Sequence, residues 1–356
     1  MQRAPDPAYQ QHVIRLGPQP PKSLVTFTSN LIERLPLPDA ITSAAIAHLV
    51  RDSRRKPGTR TAKAEANFAR HISGEPISTN VTTDLPAAFF ERFLGPQRKH
   101  SCCLYEHPNT TLAEAEELAL ATTAAHAELR DGQSILELGC GWGALTLWMA
   151  SHYPNSRITA VSNAPTQRAH IEIQAAAQGL TNLRIITADM NDFTIGQSFD
   201  RIVSVEMFEH ITNWPKLLRR IAGWLRQDGR LFIHVLTHRT IPRRLDASDK
   251  GDWIARHLFV SGIMPSHGLL RLCSDKLAIE EEWRWSGTHY ARTAQDWLAN
   301  FDRDSGRIDQ ILQSTYGADA GHWKRRWRLF FLATAGLFGR AGGGEWDVSQ
   351  YRLRPA

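Results

Sequence analysis

Residues 134–150, SILELGCGWGALTLWMA, decide how this chain folds. Ile135-Leu136-Glu137-Leu138 is an apolar run of strand length. Gly139-Cys140-Gly141-Trp142-Gly143 follows, and the apolar residues after it recur at helical spacing. A strand, a Gly-rich turn and a helix in that order make a site for a nucleotide-like ligand. The glycines let the backbone turn tightly and approach a ligand with no Cβ in the way. The first turn of the helix has N–H groups without intrahelical partners, which suit an anion.

The turn reads E-x-G-x-G-x-G, not the dinucleotide fingerprint G-x-G-x-x-G. An acidic residue two positions before the first Gly resembles motif I of class I S-adenosylmethionine (SAM) methyltransferases. The ammonium of SAM suits a carboxylate, its carboxylate suits backbone N–H groups, and it has no phosphate for a P-loop Lys. Taken alone, the stretch is also compatible with a Gly-rich turn in an unrelated α/β domain.

Working outward, the pattern predicts strands at 157–161, 183–188, 199–205 and 230–235. A helix starting at Ser162-Asn163-Ala164-Pro165 carries Gln167, and another covers 215–225. This alternation predicts an α/β, doubly wound parallel sheet of the Rossmann-like type, with ligands at the carboxyl ends of the strands. Those ends carry Glu137 and Gly139, Ser162 and Asn163, Asp189, Glu206 to His210, and His234. One polar residue at a strand end is ordinary turn chemistry, whereas a set in register converges on one crevice.

On the N-terminal side, 1–22 is Pro- and Gln-rich and reads as loose. Residues 24–54 hold two helical patterns broken around Pro36-Leu37-Pro38-Asp39, with Asp39 as an N-cap. A helix follows at 62–71, a polar irregular stretch at 77–84, and a short amphipathic helix at 86–95 with Phe89, Phe90, Phe93 and Leu94. Thr111 and Glu114 form a capping box for a helix to about residue 129. On the C-terminal side, 243–272 interrupts the alternation with aromatic, Gly and Pro residues and reads as a mobile cap. A strand at 277–285, a helix from 286 to about 301, a long apolar helix at 323–339 and a strand at 345–353 complete the pattern. The expected organisation is a helical region at 1–98, a SAM-binding core at 99–242, the cap at 243–272, and a completion of the core with a pocket helix at 273–356.

The chain has 356 residues, enough to bury one long core or two closely joined ones. No apolar run reaches the roughly 18 residues of a membrane span, and the start lacks the apolar segment of a secretory signal. Four cysteines, with Cys102 and Cys103 adjacent, do not make a disulfide framework. The expectation is a cytoplasmic protein with reduced thiols. The net charge of +6 fits an anionic partner or simply a basic protein. No stretch interleaves basic and aromatic residues as a nucleic-acid groove does, and no His/Asp/Glu set has metal-ligand spacing.

Seven segments occur in order: KHSCCLY (99–105), TTLAEAEELAL (110–120), ILELGCGWGALTLWMA (135–150), S-N-x-x-x-Q (162–167), FDRIVSVEMFEH (199–210), HYARTAQDWL (289–298) and WRLFFL (327–332). Together they resemble the coclaurine-type N-methyltransferases of plants and their bacterial relatives, a group similar in turn to the cyclopropane fatty acid and mycolic acid synthases. The resemblance runs from about residue 75 to the end. It implies that Glu137, Gly139 and Gly141 hold the methionine end of SAM with help from Ser101. Asn163 and Gln167 then face the ribose, Asp189 takes the adenine amine, and Met190 lies beside the ring. It places Glu206, Glu209 and His210 at the methyl-transfer end, and Trp327 and Phe330 in the amine pocket. Plainer readings exist: Ser101 as a helix cap, Gln167 as solvated, Trp327 and Phe330 as core, Glu209 and His210 as a structural pair.

The resemblance implies methylation of a small, alkaloid-like amine, with S-adenosylhomocysteine (SAH) as product. An imidazole with a pKa of about 6.5 can accept the amine's proton, so His210 is the base. Glu209 orients it, and Glu206 holds the amine or stabilises the cation. The rival is cyclopropane-synthase chemistry on an unsaturated lipid, with peripheral membrane contact and a bound bicarbonate. The bicarbonate ligands of that group map onto Cys102, Glu209, His234 and Tyr290, with the backbone of Leu236. Tyr290 stands where coclaurine-type sequences carry Phe and favours the rival. Glu206 stands where many cyclopropane synthases have Gly and opposes it. Thr83 replaces the Tyr of the plant V-Y-E-V-P segment, which separates this chain from the isoquinoline substrate. A non-catalytic SAM-binding protein would need a broken methyl-transfer end, and Glu206, Glu209 and His210 are all present. A homodimer is compatible with either enzyme.

Overall fold

The computed structural model describes residues 38–51, 59–74, 85–246 and 261–356. The helices α1 (Asp39–Arg51), α2 (Thr59–Ile72) and the single turn α3 (Ala87–Phe90) precede the sheet. α4 (Leu112–His126) begins at the expected capping box: Thr111 accepts the Glu114 N–H, and the Glu114 carboxylate accepts the Thr111 N–H at 2.7 Å. Then come β1 (Ser134–Leu138), α5 (Ala144–His152), β2 (Arg157–Ser162), α6 (Pro165–Ala177), β3 (Leu183–Thr187), β4 (Phe199–Val205), α7 (Trp214–Trp224) and β5 (Leu225–His238). Every residue of β1 is buried, as a central strand covered on both faces requires. The remaining elements are β6 (Arg243–Asp246), β7 (Ser261–Met264), α8 (Leu269–Cys273), β8 (Leu277–Ser286), α9 (Gly287–Arg303), α10 (Ser305–Tyr316), α11 (Ala320–Phe338) and β9 (Trp346–Pro355).

The main sheet has the order β3-β2-β1-β4-β5-β9-β8. β1 is flanked in parallel by β2 and β4, so the strand order reverses there. That switch point opens a crevice at the carboxyl ends of β1 and β4. The sheet is mixed rather than parallel throughout, because β9 runs antiparallel to both β5 and β8. An apolar run specifies a strand but not its direction, which is why the sequence expectation missed the reversal.

Three local expectations change. Asp39 is the first helical residue, not the N-cap: the Pro38 carbonyl accepts the N–H groups of Ile41 and Thr42, and the Asp39 carboxylate pairs with Arg328 of α11. The helix expected at 86–95 is only α3. Phe89, Phe90, Phe93 and Leu94 are all buried, so packing on several sides sets this backbone rather than one helical face. Part of the cap is an antiparallel pair, β6 with β7. Residues 247–260 of the cap, the expected loose start, the first helical pattern before Pro38 and the irregular 77–84 lie outside the described residues.

Aromatic packing joins the N-terminal part to the C-terminal helices. Phe89, Phe93, Trp297, Phe301 and Phe331 are fully buried in one cluster with Trp327. Each such side chain contributes on the order of 1.5–3 kcal/mol by leaving water. Among the described residues, no helix is long and apolar enough to cross a membrane.

Candidate active site

A cavity of about 490 Å³ lies at the carboxyl ends of the central strands. Its first half is built on the turn after β1. Glu137 is buried with its carboxylate accepting from Thr146 Oγ1, and burial pushes its pKa up to about 7. An ammonium brought beside it would restore the carboxylate. Gly139 and Gly141 have φ of 83° and 52°, the left-handed region that disfavours a Cβ. A Cβ on Gly139 would also lie 2.5 Å from Met207 Cγ. Gly139→Ala is expected to lower thermal stability and to weaken SAH binding at least tenfold by calorimetry, because the turn must shift away from Met207.

Asn163 and Gln167 border the same half of the cavity. Ser162 orients Gln167 by donating to its side-chain oxygen at 2.6 Å, and it also accepts the Ala164 N–H. Met190 and Ser101 line the wall as well. Asp189 does not: its carboxylate accepts the backbone and side-chain N–H groups of Asn191 at 2.8 and 3.0 Å.

The second half is the turn after β4. Glu206 adopts φ of 48°, which a non-Gly residue holds only when its surroundings fix it. Its N–H donates to the His234 carbonyl at 2.8 Å. Its carboxylate accepts from the Cys102 N–H at 2.7 Å, His234 Nε2 at 3.3 Å and the Tyr290 hydroxyl at 3.2 Å. Gln350 donates to His234 Nδ1 at 3.1 Å, which leaves the ring proton on Nε2, aimed at Glu206. Burial opposes ionisation of Glu206, but the His234 Nε2–H bond, the charge of Lys99 and the Cys102 N–H outweigh it and hold the carboxyl below its ordinary range.

Glu209 is the opposite case. Burial and the adjacent Glu206 charge push its pKa up to about 8. The pair therefore carries one charge, on Glu206, and one proton, on Glu209. Glu209 Oε1 accepts the Leu236 N–H at 2.6 Å, while Oε2 has no hydrogen-bond partner. Glu209 is thus tied to β5 and does not orient His210 as the sequence suggested. β7 presses on this turn, since a Cβ on Gly262 would lie 2.4 Å from the Glu209 carbonyl. Because its folded pKa is raised, Glu209 stabilises the fold below about pH 4.5 and loses that contribution as pH rises toward 8. Glu209→Gln is expected to flatten this decline in urea denaturation between pH 5 and 8; an unchanged slope would contradict the buried, protonated carboxyl.

His210 lines the cavity, and burial lowers its pKa to about 4, so it is a neutral imidazole. Cys102 and Tyr290 are buried with pKa values raised by burial and by Glu206. The Cys102 Sγ turns to the Cys103 carbonyl at 3.4 Å, so it is the backbone of Cys102 that serves Glu206. Trp327 and Phe330 are both core and wall: each is buried, and each borders the cavity. Phe90, Tyr316 and Trp323 extend this wall, with Trp323 stacked on Tyr316 at 4.5 Å. The sequence reading missed Lys99, Phe90, Tyr316, Trp323 and Gln350. Lys99 lay inside a motif already singled out; the others carried no signal beyond apolar or strand periodicity.

The residues fit SAM: a carboxylate faces the Gly-rich turn, side-chain amides border the next strand end, and the cavity continues into an aromatic wall. The model of the mycolic acid cyclopropane synthetase family matches residues 75–350. (S)-Coclaurine N-methyltransferase of Thalictrum flavum subsp. glaucum is 34% identical over 294 residues, 80% of this chain and 81% of that one. The cyclopropane-fatty-acyl-phospholipid synthase of Escherichia coli is 26% identical over 300 residues, 80% of this chain and 74% of that one. A crystal structure of coclaurine N-methyltransferase bound to N-methylheliamine and SAH superposes with a TM-score of 0.87 at 31% identity, covering 94% of this chain and 99% of that one. The chain belongs to the mycolic acid cyclopropane synthetase family and is a SAM-dependent methyltransferase.

Proposed function

We propose that the protein methylates the nitrogen of a small amine and uses no bicarbonate. The observation that carries this reading is the carboxylate of Glu206. Two of the side chains that cyclopropane-type chemistry assigns to bicarbonate, those of His234 and Tyr290, donate to Glu206 instead, as does the backbone N–H of Cys102, and Leu236 N–H is taken by Glu209. The chain supplies from its own sequence the anion that the rival chemistry would recruit. The greater identity to coclaurine N-methyltransferase than to the lipid synthase supports the same choice.

Bound SAM supplies an electrophilic methyl on a sulfonium whose sulfur leaves as a neutral thioether. The protein's work is to align the amine lone pair with that methyl and to handle charge and proton. Trp327, Phe330, Trp323 and Phe90 form an apolar wall for the amine, and aromatic faces favour the cation that forms. The ionised Glu206 stabilises the same positive charge. As the N–C bond forms, a secondary amine becomes an ammonium, and His210, neutral beforehand, takes its N–H proton. Asn163, Gln167 and Met190 hold the nucleoside, and Asp189 takes the adenine amine after turning from Asn191.

Turnover of a secondary amine in carbonate-free buffer is the test. The rate is expected to be unchanged by added bicarbonate, and Cys102→Ala and Tyr290→Phe are expected to cost less than about tenfold, as each removes at most one neutral partner. Stimulation by bicarbonate together with severe losses in both variants would favour the lipid chemistry.

A further inference from the structure

We propose that His126, a half-buried residue outside the cavity, is a positioning residue for Glu206, acting through Gln350 and His234. This rests on reading Glu206 as the charge that serves the amine. Val205, His234, Gln350 and Trp283 are register partners in one row across β4, β5, β9 and β8. Side chains in such a row share a face of the sheet. His126, the last residue of α4, packs on that face: its ring stacks on Trp283 with centroids 3.9 Å apart and planes within 6°. Its Nδ1 meets Gln350 Oε1 at 2.6 Å. A hydrogen-bonded chain therefore runs from His126 through Gln350 and His234 to Glu206. Gln350 and His234 are fully buried, so water offers neither a substitute partner.

Each link has one allowed direction. Burial lowers the His234 pKa, so the ring is neutral and has a single proton to place. A carboxylate only accepts, so His234 must present Nε2–H to Glu206 and a bare Nδ1 to Gln350. Gln350 must then turn its NH₂ to His234 and its oxygen to His126. That oxygen only accepts, so His126 must carry a proton on Nδ1, the form that a neutral histidine in water populates less. Without this donor, nothing holds the Gln350 amide against a flip. The flipped amide puts its oxygen on His234 Nδ1–H, and the bare Nε2 then faces the carboxylate. Glu206 would lose a donor at Oε1, the oxygen it shares between His234 and the Cys102 N–H. His126, Gln350 and His234 do not border the cavity, so the effect reaches the amine only through Glu206.

The test reads tautomers and turnover in the full chain. With 15N-labelled histidine at about pH 8, NMR of the unaltered protein is expected to show His234 protonated on Nε2 and His126 on Nδ1. His126→Phe keeps a flat ring on Trp283 and removes the donor. It is expected to lower kcat for a secondary amine about 5- to 10-fold, the scale of one hydrogen bond. KM and SAH affinity should stay within about twofold, and part of the His234 proton should move to Nδ1. His126→Gln restores an N–H donor to Gln350 and is expected to recover most of kcat and the Nε2–H form. His234 protonated on Nδ1 in the unaltered protein, an unchanged kcat in His126→Phe, or an equal loss in His126→Gln would overturn the proposal. Should His126→Phe fail to fold, the tautomers of the unaltered protein still decide. A protein with the expected tautomers that methylates no amine would instead overturn the reading of Glu206 on which the proposal rests.

Discussion

Glu206→Gln is expected to lower kcat for amine methylation on the order of 10²–10³-fold, the usual loss when a preorganised electrostatic group is removed, while SAH affinity stays within about threefold. The amide has the shape of the carboxylate. Its oxygen can still accept from Cys102 N–H and His234, and its nitrogen can donate to Tyr290, which accepts as readily as it donates. The left-handed backbone at Glu206 keeps its anchors. What disappears is one negative charge at the point where a cationic nitrogen forms. The effect should therefore fall on kcat rather than on cofactor binding or on melting temperature. Retention of more than a tenth of the activity would mean that the charge does not act on the transition state.

His210→Ala is expected to lower kcat for a secondary amine on the order of 10²–10⁴-fold, the contribution of a positioned base. A structural role would give the same loss for any acceptor, so the informative comparison is a tertiary amine. Its product carries no N–H, and no proton has to leave after methyl transfer. The loss with a tertiary amine is expected to be at least tenfold smaller. With a pKa lowered to about 4, His210 stays neutral above pH 5, so the pH profile of kcat/KM should follow the amine's own ionisation and not that of an imidazole. Equal losses for both acceptors would remove His210 from the proton's path.

The sequence was most legible where local rules and tertiary demands coincide. The strand, turn and helix from Ser134 to His152, the capping box at Thr111, and the strand ends at Asn163 and Glu206 follow from spacing and turn chemistry, and the structure brings them to one cavity. Direction was not legible: β9 has the apolar pattern of any buried strand, and only its pairing with β5 and β8 shows that it is reversed. Partner choice among buried polar groups was not legible either. Glu209 stands next to His210 in sequence, yet its carboxylate bonds Leu236 on a neighbouring strand. Gln350 fixes the His234 tautomer across 116 residues of chain, a relation without a sequence signature. Lys99 was overlooked for another reason: a lone lysine in a sequence reads as solvated, and its burial under Ser101 is visible only in the fold.

The central claim is that the methyl of SAM goes to nitrogen. One competition tests it most directly: purified protein, methyl-labelled SAM, an aromatic secondary amine and vesicles of an unsaturated phospholipid in one vessel, with both products followed by mass spectrometry. The expected result is label on the amine nitrogen, at a rate independent of bicarbonate, with the phospholipid unchanged. Label in a phospholipid acyl chain, rising with bicarbonate and absent from the amine, would contradict it.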